Sequence, residues 1–300
     1  MPRGFGAAVA ALICTMLLAG CFGVRPYAVA DHDEKRRYHV EAGRVMVESD
    51  LLGGLSGVRD FASVGYMHGV AGGAELHVQK ESIVMGGTVV TRETTDDARL
   101  TIDMVHIEGS DMNYYLFGEA YLGVTRTPWL AEPGRDVRRE GDGLCVDVSA
   151  VWFLCNIMEA WWAAQEEHAE ALPFRLETNA DGSRHYVTAL TPASLEAAGL
   201  FTFDEELSAK LGEQALQGFI PLHVWIDQDG VVSKLEANGV LTGERETLEM
   251  QFGFELTGVP SEDDRPIDPA TLDPSVITVV TDPVRLQAMW DEITRIRHSA

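Results

Sequence analysis

The spacing of apolar residues changes several times along this chain, and each change marks an expected element. An apolar run, Ala7 to Leu18, comes first, and a mixed, partly charged stretch follows it to residue 44. A short helix is expected over Val45–Val58, weakened by Gly53, Gly54 and Gly57. From Phe61 to Arg126 short segments take over, punctuated by glycine and charge. Arg99–Ile107 alternates imperfectly, as a strand with one buried face does. Val64–Met67, Ala74–Lys80, Ile83–Thr91, Asn113–Phe117 and Tyr121–Arg126 read the same way. Turns are expected at Ala71-Gly72-Gly73 and Glu108-Gly109-Ser110, and a bulge at Met85-Gly86-Gly87. Consecutive strands with tight turns imply an antiparallel meander, because parallel pairs need long crossovers.

After a loop from Thr127 to Gly143, the period becomes helical. Over Asp147–Glu170, Val148, Val151, Trp152, Cys155, Met158 and Trp162 recur at three- and four-residue spacing. Asp147 or Ser149 can cap this helix. Phe174–Thr178 and His185–Leu190 form a hairpin about Asn179–Gly182. Two short helices follow, one from Thr191-Pro192 to its stop at Gly199 and one over Phe203–Leu216. Pro221–Ile226 and Val231–Leu241 make a second hairpin about Asp227-Gln228-Asp229-Gly230. Glu244–Val259 is a long strand. Beyond the polar break Pro260–Pro266, residues 261–300 read as a C-terminal extension with a strand-like piece (Val276–Val280) and a helix (Pro283–Arg297).

The composition, 46% hydrophobic and 8% aromatic, is that of an ordinary globular chain rather than an acidic disordered tail. The formal net charge of −24 argues against nucleic acid as a partner, because so acidic a surface repels phosphate backbones.

The first apolar run decides the location. One basic residue, Arg3, precedes it, and it closes on Leu18-Ala19-Gly20-Cys21, small residues followed by cysteine, which is the form of a bacterial lipobox. The run is too short to span a bilayer comfortably. Residues 1–20 are therefore expected to be a signal peptide, Cys21 the lipidated first residue of the mature chain, and residues 21–44 a tether. Two acyl chains on Cys21 give a stable anchor without a transmembrane helix. The expected location is the extracytoplasmic face of the bacterial cell membrane, where thiols can oxidise. Of the four cysteines, Cys145 and Cys155 then remain for a bridge. On one helix their sulfurs would stand about 15 Å apart, so a bridge requires Cys145 to lie in a loop folded back along the helix. The alternative is two buried thiols.

The chain carries no G-x-S-x-G, H-E-x-x-H, C-x-x-C, P-loop or G-x-G-x-x-G motif, and the reading is of a non-enzyme without metal or cofactor. His77, His106 and His223 fall in separate strands and are taken as structural. Asp227-Gln228-Asp229-Gly230 lacks the remaining ligands of a calcium loop and reads as a hairpin turn. The aromatic helix has two readings: packing against a sheet, or one wall of an apolar cleft.

The lipobox, the antiparallel strands, the mid-chain helix and the segment Val224–Val232, which runs a strand into Asp-x-Asp-Gly and out into another, together resemble the LppX/LprG-type actinobacterial lipoproteins. The resemblance covers roughly residues 45–260. It implies an α+β, LolA-like fold, a strongly curved antiparallel sheet (a half-barrel) with helices on its concave side. It also implies binding or carriage of an amphipathic lipid or lipoglycan, with no catalytic residues. The residues expected to line the cleft are Val148, Val151, Trp152, Met158, Trp162, Leu200, Phe201, Leu207 and Leu211. The Cys145/Cys155 pair and the tail after Pro266 depart from the family. The rival expectation is a non-catalytic envelope module that docks an unknown protein partner without a lipid.

Overall fold

The computed structural model describes residues 58, 60–93, 97–107, 109–134, 150–168 and 171–299, with Arg37, Glu41 and Gly43 as isolated positions. All of them except Arg37 belong to one unit spanning Val40–Ala300. The lipobox with Cys21, the helix expected over Val45–Val58 apart from Val58 itself, Cys145 and Val148 lie outside the described residues.

Alternation over Phe61–Pro133 produces six strands: β1 (Phe61–Ala71), β2 (Ala74–Met85), β3 (Thr88–Glu93), β4 (Ile102–Ile107), β5 (Met112–Phe117) and β6 (Trp129–Pro133). A second run gives β7 (Arg175–Thr178), β8 (Arg184–Leu190), β9 (Ile220–Ile226), β10 (Val232–Thr242) and β11 (Thr247–Gly258), and β12 (Ile277–Val279) ends the set. All twelve join one open sheet in the order β12-β6-β5-β4-β3-β2-β1-β11-β10-β9-β8-β7. Two antiparallel runs thus meet along β1 and β11, where Gly65 stands opposite Phe254. The sheet is mixed rather than wholly antiparallel, because β12 runs parallel to β6. A parallel partner needs a long crossover, and residues 134–276 supply it.

Several local expectations are corrected. Gly86 and Gly87 form a hairpin turn, not a bulge; their φ values of 56° and 80° repeat those of Gly72 and Gly73, 58° and 80°. Two successive positive φ angles are what a two-residue hairpin matching the strand twist requires. Tyr121–Arg126 is not a strand: helix α1 (Leu122–Thr125) lies there and ends on Arg126 at φ 65°. The expected loop after Thr127 contains β6. The helix expected over Phe203–Leu216 breaks at Gly212 into α4 (Glu205–Leu211) and α5 (Glu213–Leu216). The other α-helices with described bounds are α2 (Ala150–His168), α3 (Pro192–Ala197) and α6 (Pro283–Ser299).

Strand register fixes which residues share a face. Ser63, Ser82, Thr91, Met104, Tyr115, Leu130 and Thr278 form one row across β1 to β6 and β12. This face carries both long helices. Helix α2 lies over β1, β2, β8 and β11 and against α3. Helix α6 covers β4–β6, where Met289 and Ile293 join Met104, Tyr115, Phe117 and Leu130. The C-terminal segment reaches α6 from the opposite face. There Leu272, Val276 and Ile277 pack on Val90, Val105 and Trp129. The extension therefore clasps the β3–β6 side of the sheet front and back.

Candidate functional site

The seam between α2 and the sheet gathers the side chains expected to line a cleft. Its starting point is Gly65 in β1. A Cβ there would stand 2.4 Å from Phe153 Cδ2 and 2.9 Å from the Ala150 carbonyl oxygen, so only glycine lets the first turn of α2 settle on the strand. The Ala150 amide donates to Ser82 Oγ at 2.7 Å, and Ser82 Oγ shares a second hydrogen bond with Thr91 Oγ1 at 2.8 Å. At the other end of the helix, Trp161 is 1% exposed and its indole N–H points to Thr188 Oγ1 at 3.4 Å.

The side of the seam formed by residues 191–211 is built by local capping. Thr191 caps α3 in a capping box with Ser194, and Pro192 occupies its first turn. Glu196 reaches forward from α3 to accept the Phe203 amide at 2.9 Å. Asp204 caps α4 by accepting from Leu207 N at 2.8 Å. These bonds pin the Leu200–Phe203 turn so that Phe201 packs on Phe203 and on Phe252 of β11, at centroid distances of 4.8 and 6.4 Å.

Eight of the nine expected lining residues fall in this single apolar cluster, the ninth, Val148, lying outside the described residues. They divide into two groups. Val151, Met158, Leu200 and Leu211 are buried, at 1, 6, 3 and 1% exposure. Trp152, Trp162, Phe201 and Leu207 are half-buried and border the cluster, together with Cys155, Met67 and Val78. Lys80 Nζ stands 5.7 Å over the Trp152 ring at that border. Two fully buried polar atoms, Ser63 Oγ in β1 and Gln165 Oε1 in α2, have no hydrogen-bond partner among the described residues.

His77, His106 and His223 stay apart as the sequence reading expects, and two of them pair with histidines of neighbouring strands. His106 is buried on the helix-bearing face and bonded to Asn113 Oδ1 at 2.8 Å, a structural role. His77 stacks edge-on against His68 at 6.0 Å, and His223 meets His185 at 3.0 Å on the outer face. The Asp227 turn is a hairpin turn as read: Asp227 Oδ1 accepts the Asp229 and Val231 amides, each at 2.9 Å. Among the described residues, no cluster of three or more His, Cys, Asp or Glu side chains stands at metal-binding spacing.

Sequence reasoning missed a polar network on the outer face. Gly253 in β11 leaves room for the Tyr66 ring to lie across it, and the Tyr66 hydroxyl donates to Glu236 Oε2 at 2.6 Å. Lys234 Nζ pairs with the same oxygen at 2.9 Å, and Asn238 Nδ2 donates to Oε1 at 2.9 Å. Burial alone would raise the Glu236 carboxyl, but hydrogen bonds from Tyr66, Lys234 and Gln251 and the Lys234 charge outweigh it and hold the carboxyl at about 2. Burial first, then the bond to Glu236 and its charge, push the Tyr66 phenol far above its ordinary range.

A depressed folded-state value means that the unfolded chain binds the proton more readily. Glu236 therefore contributes stability above its ordinary value of 4.5, and the contribution is lost as pH falls toward about 2. Melting curves of wild type and Glu236→Gln should lie furthest apart near neutral pH and converge across that acid window. A constant gap across it would contradict the assignment.

No family model matches the chain, and no curated protein matches it. Similar solved structures include an uncharacterised conserved protein from Thermus thermophilus, at 9% identity and TM-score 0.28, covering 80% of this chain and 98% of that one. A LolA superfamily protein from Nitrosomonas europaea is similar at 11% identity and TM-score 0.25, covering 75 and 97%. MucB, solved in complex with MucA(peri), is similar at 13% identity and TM-score 0.28, covering 77 and 60%.

Proposed function

We propose that this chain is a lipid-anchored extracytoplasmic protein with a LolA-like, curved half-barrel sheet, and that it binds or carries an amphipathic lipid in the seam between α2 and the sheet. The observation that carries the reading is the two-part seam: a continuous apolar cluster whose border, Trp152, Trp162, Phe201 and Leu207, stays half-buried. Acyl chains entering there leave water at roughly 25 cal/mol per Å² of surface removed. A buried polar atom left unpaired costs about 1–3 kcal/mol, so Ser63 Oγ and Gln165 Oε1 are natural contacts for a polar group of the guest. No helix among the described residues is long and apolar enough to cross a membrane. Cys21 supplies the membrane attachment in this reading, and the net charge of −24 argues against nucleic acid as a partner.

The test is binding of a fluorescent fatty-acyl probe, with native mass spectrometry of the purified chain. Wild type should bind the probe, and Trp162→Ala and Phe201→Ala should each weaken it by about tenfold, roughly 1.4 kcal/mol. A chain that binds no probe and carries no lipid sinks the proposal. The second reading, a protein-docking module without a lipid, is favoured by the full burial of Val151, Met158, Leu200 and Leu211. It predicts that absence of binding.

The anchor and the cysteine pair belong to the same proposal. Intact mass of membrane-extracted protein should show cleavage before Cys21 with added diacylglyceryl mass. Alkylation without reductant in the unfolded chain should label neither Cys145 nor Cys155. Mature protein without lipid mass overturns the anchor, and labelling of both thiols overturns the bridge.

A further inference from the structure

We infer that His185 and His223 form a proton-sensitive latch, which holds the β7–β8 hairpin against β9 at neutral pH and releases it in acid. His185 Nε2 and His223 Nδ1 lie 3.0 Å apart. The two ring planes differ by 16°, with centroids 5.2 Å apart. Together these values describe imidazoles lying side by side in nearly one plane, joined edge to edge through one shared N–H. Trp225 stacks on both, 4.7 Å from His185 at 7° and 5.5 Å from His223 at 17°. The indole is thus a floor that fixes the orientation of the pair. Register places it there, because His185 is directly opposite Trp225 in the β8–β9 ladder and His223 precedes Trp225 by two positions on the same face.

The surrounding charged and titratable groups come from four strands. Glu177 of β7 puts Oε2 3.7 Å from His185 Nδ1, and Arg175 pairs with Glu177. Lys234 of β10 stands 5.4 Å from the Trp225 ring, and it pairs with Glu236 at 2.9 Å and with Glu255 of β11 at 3.7 Å. Glu236 is the ladder partner of His223 and accepts from Tyr66 of β1.

Proton counting gives the switch. With both rings neutral, one N–H donates to the bare nitrogen of the other ring. A first added proton leaves that bond in place and makes it charge-assisted, and His185 is the ring with a carboxylate beside it. A second added proton puts N–H against N–H between two cations, and the bond cannot survive. Burial, and then the neighbouring His185, lower the His223 pKa from its ordinary 6.5, against a smaller opposing pull from Glu236. In that window the unfolded chain binds more protons than the folded one. The contribution of the latch is therefore complete above the ordinary value and lost as pH falls through the lowered one. Opening also reaches the seam, because Tyr186, Thr188 and Leu190 of β8 point to the α2 face and Thr188 meets Trp161.

The experiment uses the whole chain and its His185→Gln and His223→Gln variants. Imidazole proton resonances are followed by NMR from about pH 8 to about pH 4, and amide exchange of Arg175–Leu190 is compared near pH 7.5 and pH 5 after correction for intrinsic rates. Expected in wild type are two separated titration steps for the pair and a loss of hairpin protection of about tenfold or more in acid. Each variant should leave one histidine titrating in a single step, with the acid-dependent loss reduced to about twofold or less. Two independent single-step titrations in wild type would overturn the inference. So would unchanged protection in acid, or the same acid loss in both variants as in wild type.

Discussion

Gly65→Val should push helix α2 away from β1 and lower the melting temperature by roughly 6–12 °C, the equivalent of about 3 kcal/mol in a domain of this size. The reason is geometric. The first added carbon would meet Phe153 Cδ2 at 2.4 Å, and it would also meet backbone of the same helix, the Ala150 oxygen at 2.9 Å and Cα at 3.0 Å. A ring can rotate, but a helical carbonyl cannot move alone. Relief requires shifting the whole first turn, which breaks the Ala150 N–H bond to Ser82. Gly123→Ala is the matched control, because a Cβ there meets nothing within 4 Å, and its melting temperature should stay within about 2 °C of wild type. If the two variants melt together, α2 does not rest on β1 as described.

Trp290→Ala should detach α6 at a loss of about 3–4 kcal/mol while the rest of the sheet stays folded. Trp290 meets Tyr115 edge-to-face at 5.0 Å and Phe117 at a tilt at 5.9 Å. Its indole N–H donates to Glu132 Oε2 at 2.8 Å, and the Tyr115 hydroxyl donates to Glu132 Oε1 at 3.0 Å. Truncation removes the ring and leaves one oxygen of a buried carboxylate without that donor. Trp290→Phe separates the two effects, keeping most of the ring contact and losing only the hydrogen bond, for about 1–2 kcal/mol. Limited proteolysis reads the outcome: Trp290→Ala should be cut within Pro283–Ser299 well before the remainder. Equal protection of that segment in Trp290→Ala and wild type would show that α6 is held by something else.

How much of this was legible in the sequence depends on the range of the interaction. Turn chemistry was read well where one residue type decides it, as at Gly72-Gly73 and Asp227–Gly230. It was misread at Gly86-Gly87, because a bulge and a two-residue turn draw on the same glycines and differ only in where the next strand pairs. Strand β6 was hidden because Trp129–Pro133 is short and ends in proline, and because its outer partner, β12, lies far along the chain. Helix α1 was read as a strand because a four-residue helix shows no period. The apolar members of the seam were recoverable from helical spacing and local caps, and eight of them do meet. Their division into buried and half-buried was not, since the burial of Val151 depends on the strands and on α3 packed against α2, which a helical pattern does not contain. The His185–His223 pair needed one further step. Each lies on the outward parity of its strand, but only the adjacency of β8 and β9, joined through three helices, brings the two rings together.

The β1–β11 junction has a consequence for how the protein comes to be made. Gly65 and Phe254 pair across most of the chain, so the central ladder cannot begin to form until nearly all of the polypeptide is available. The strands from β1 to β6 involve only near neighbours and can assemble early. Closing the central ladder means bringing together segments separated by the whole intervening chain, a slow and entropically demanding step. Until then the long edge of β1 has unpaired amides and carbonyls and an apolar row beneath them, a template for pairing with another copy of the chain. If the chain is exported amino terminus first, as proposed above, it passes through that state on every synthesis. In that case its yield depends on how long β1 waits for β11, a quantity that the export rate would control and native stability would not.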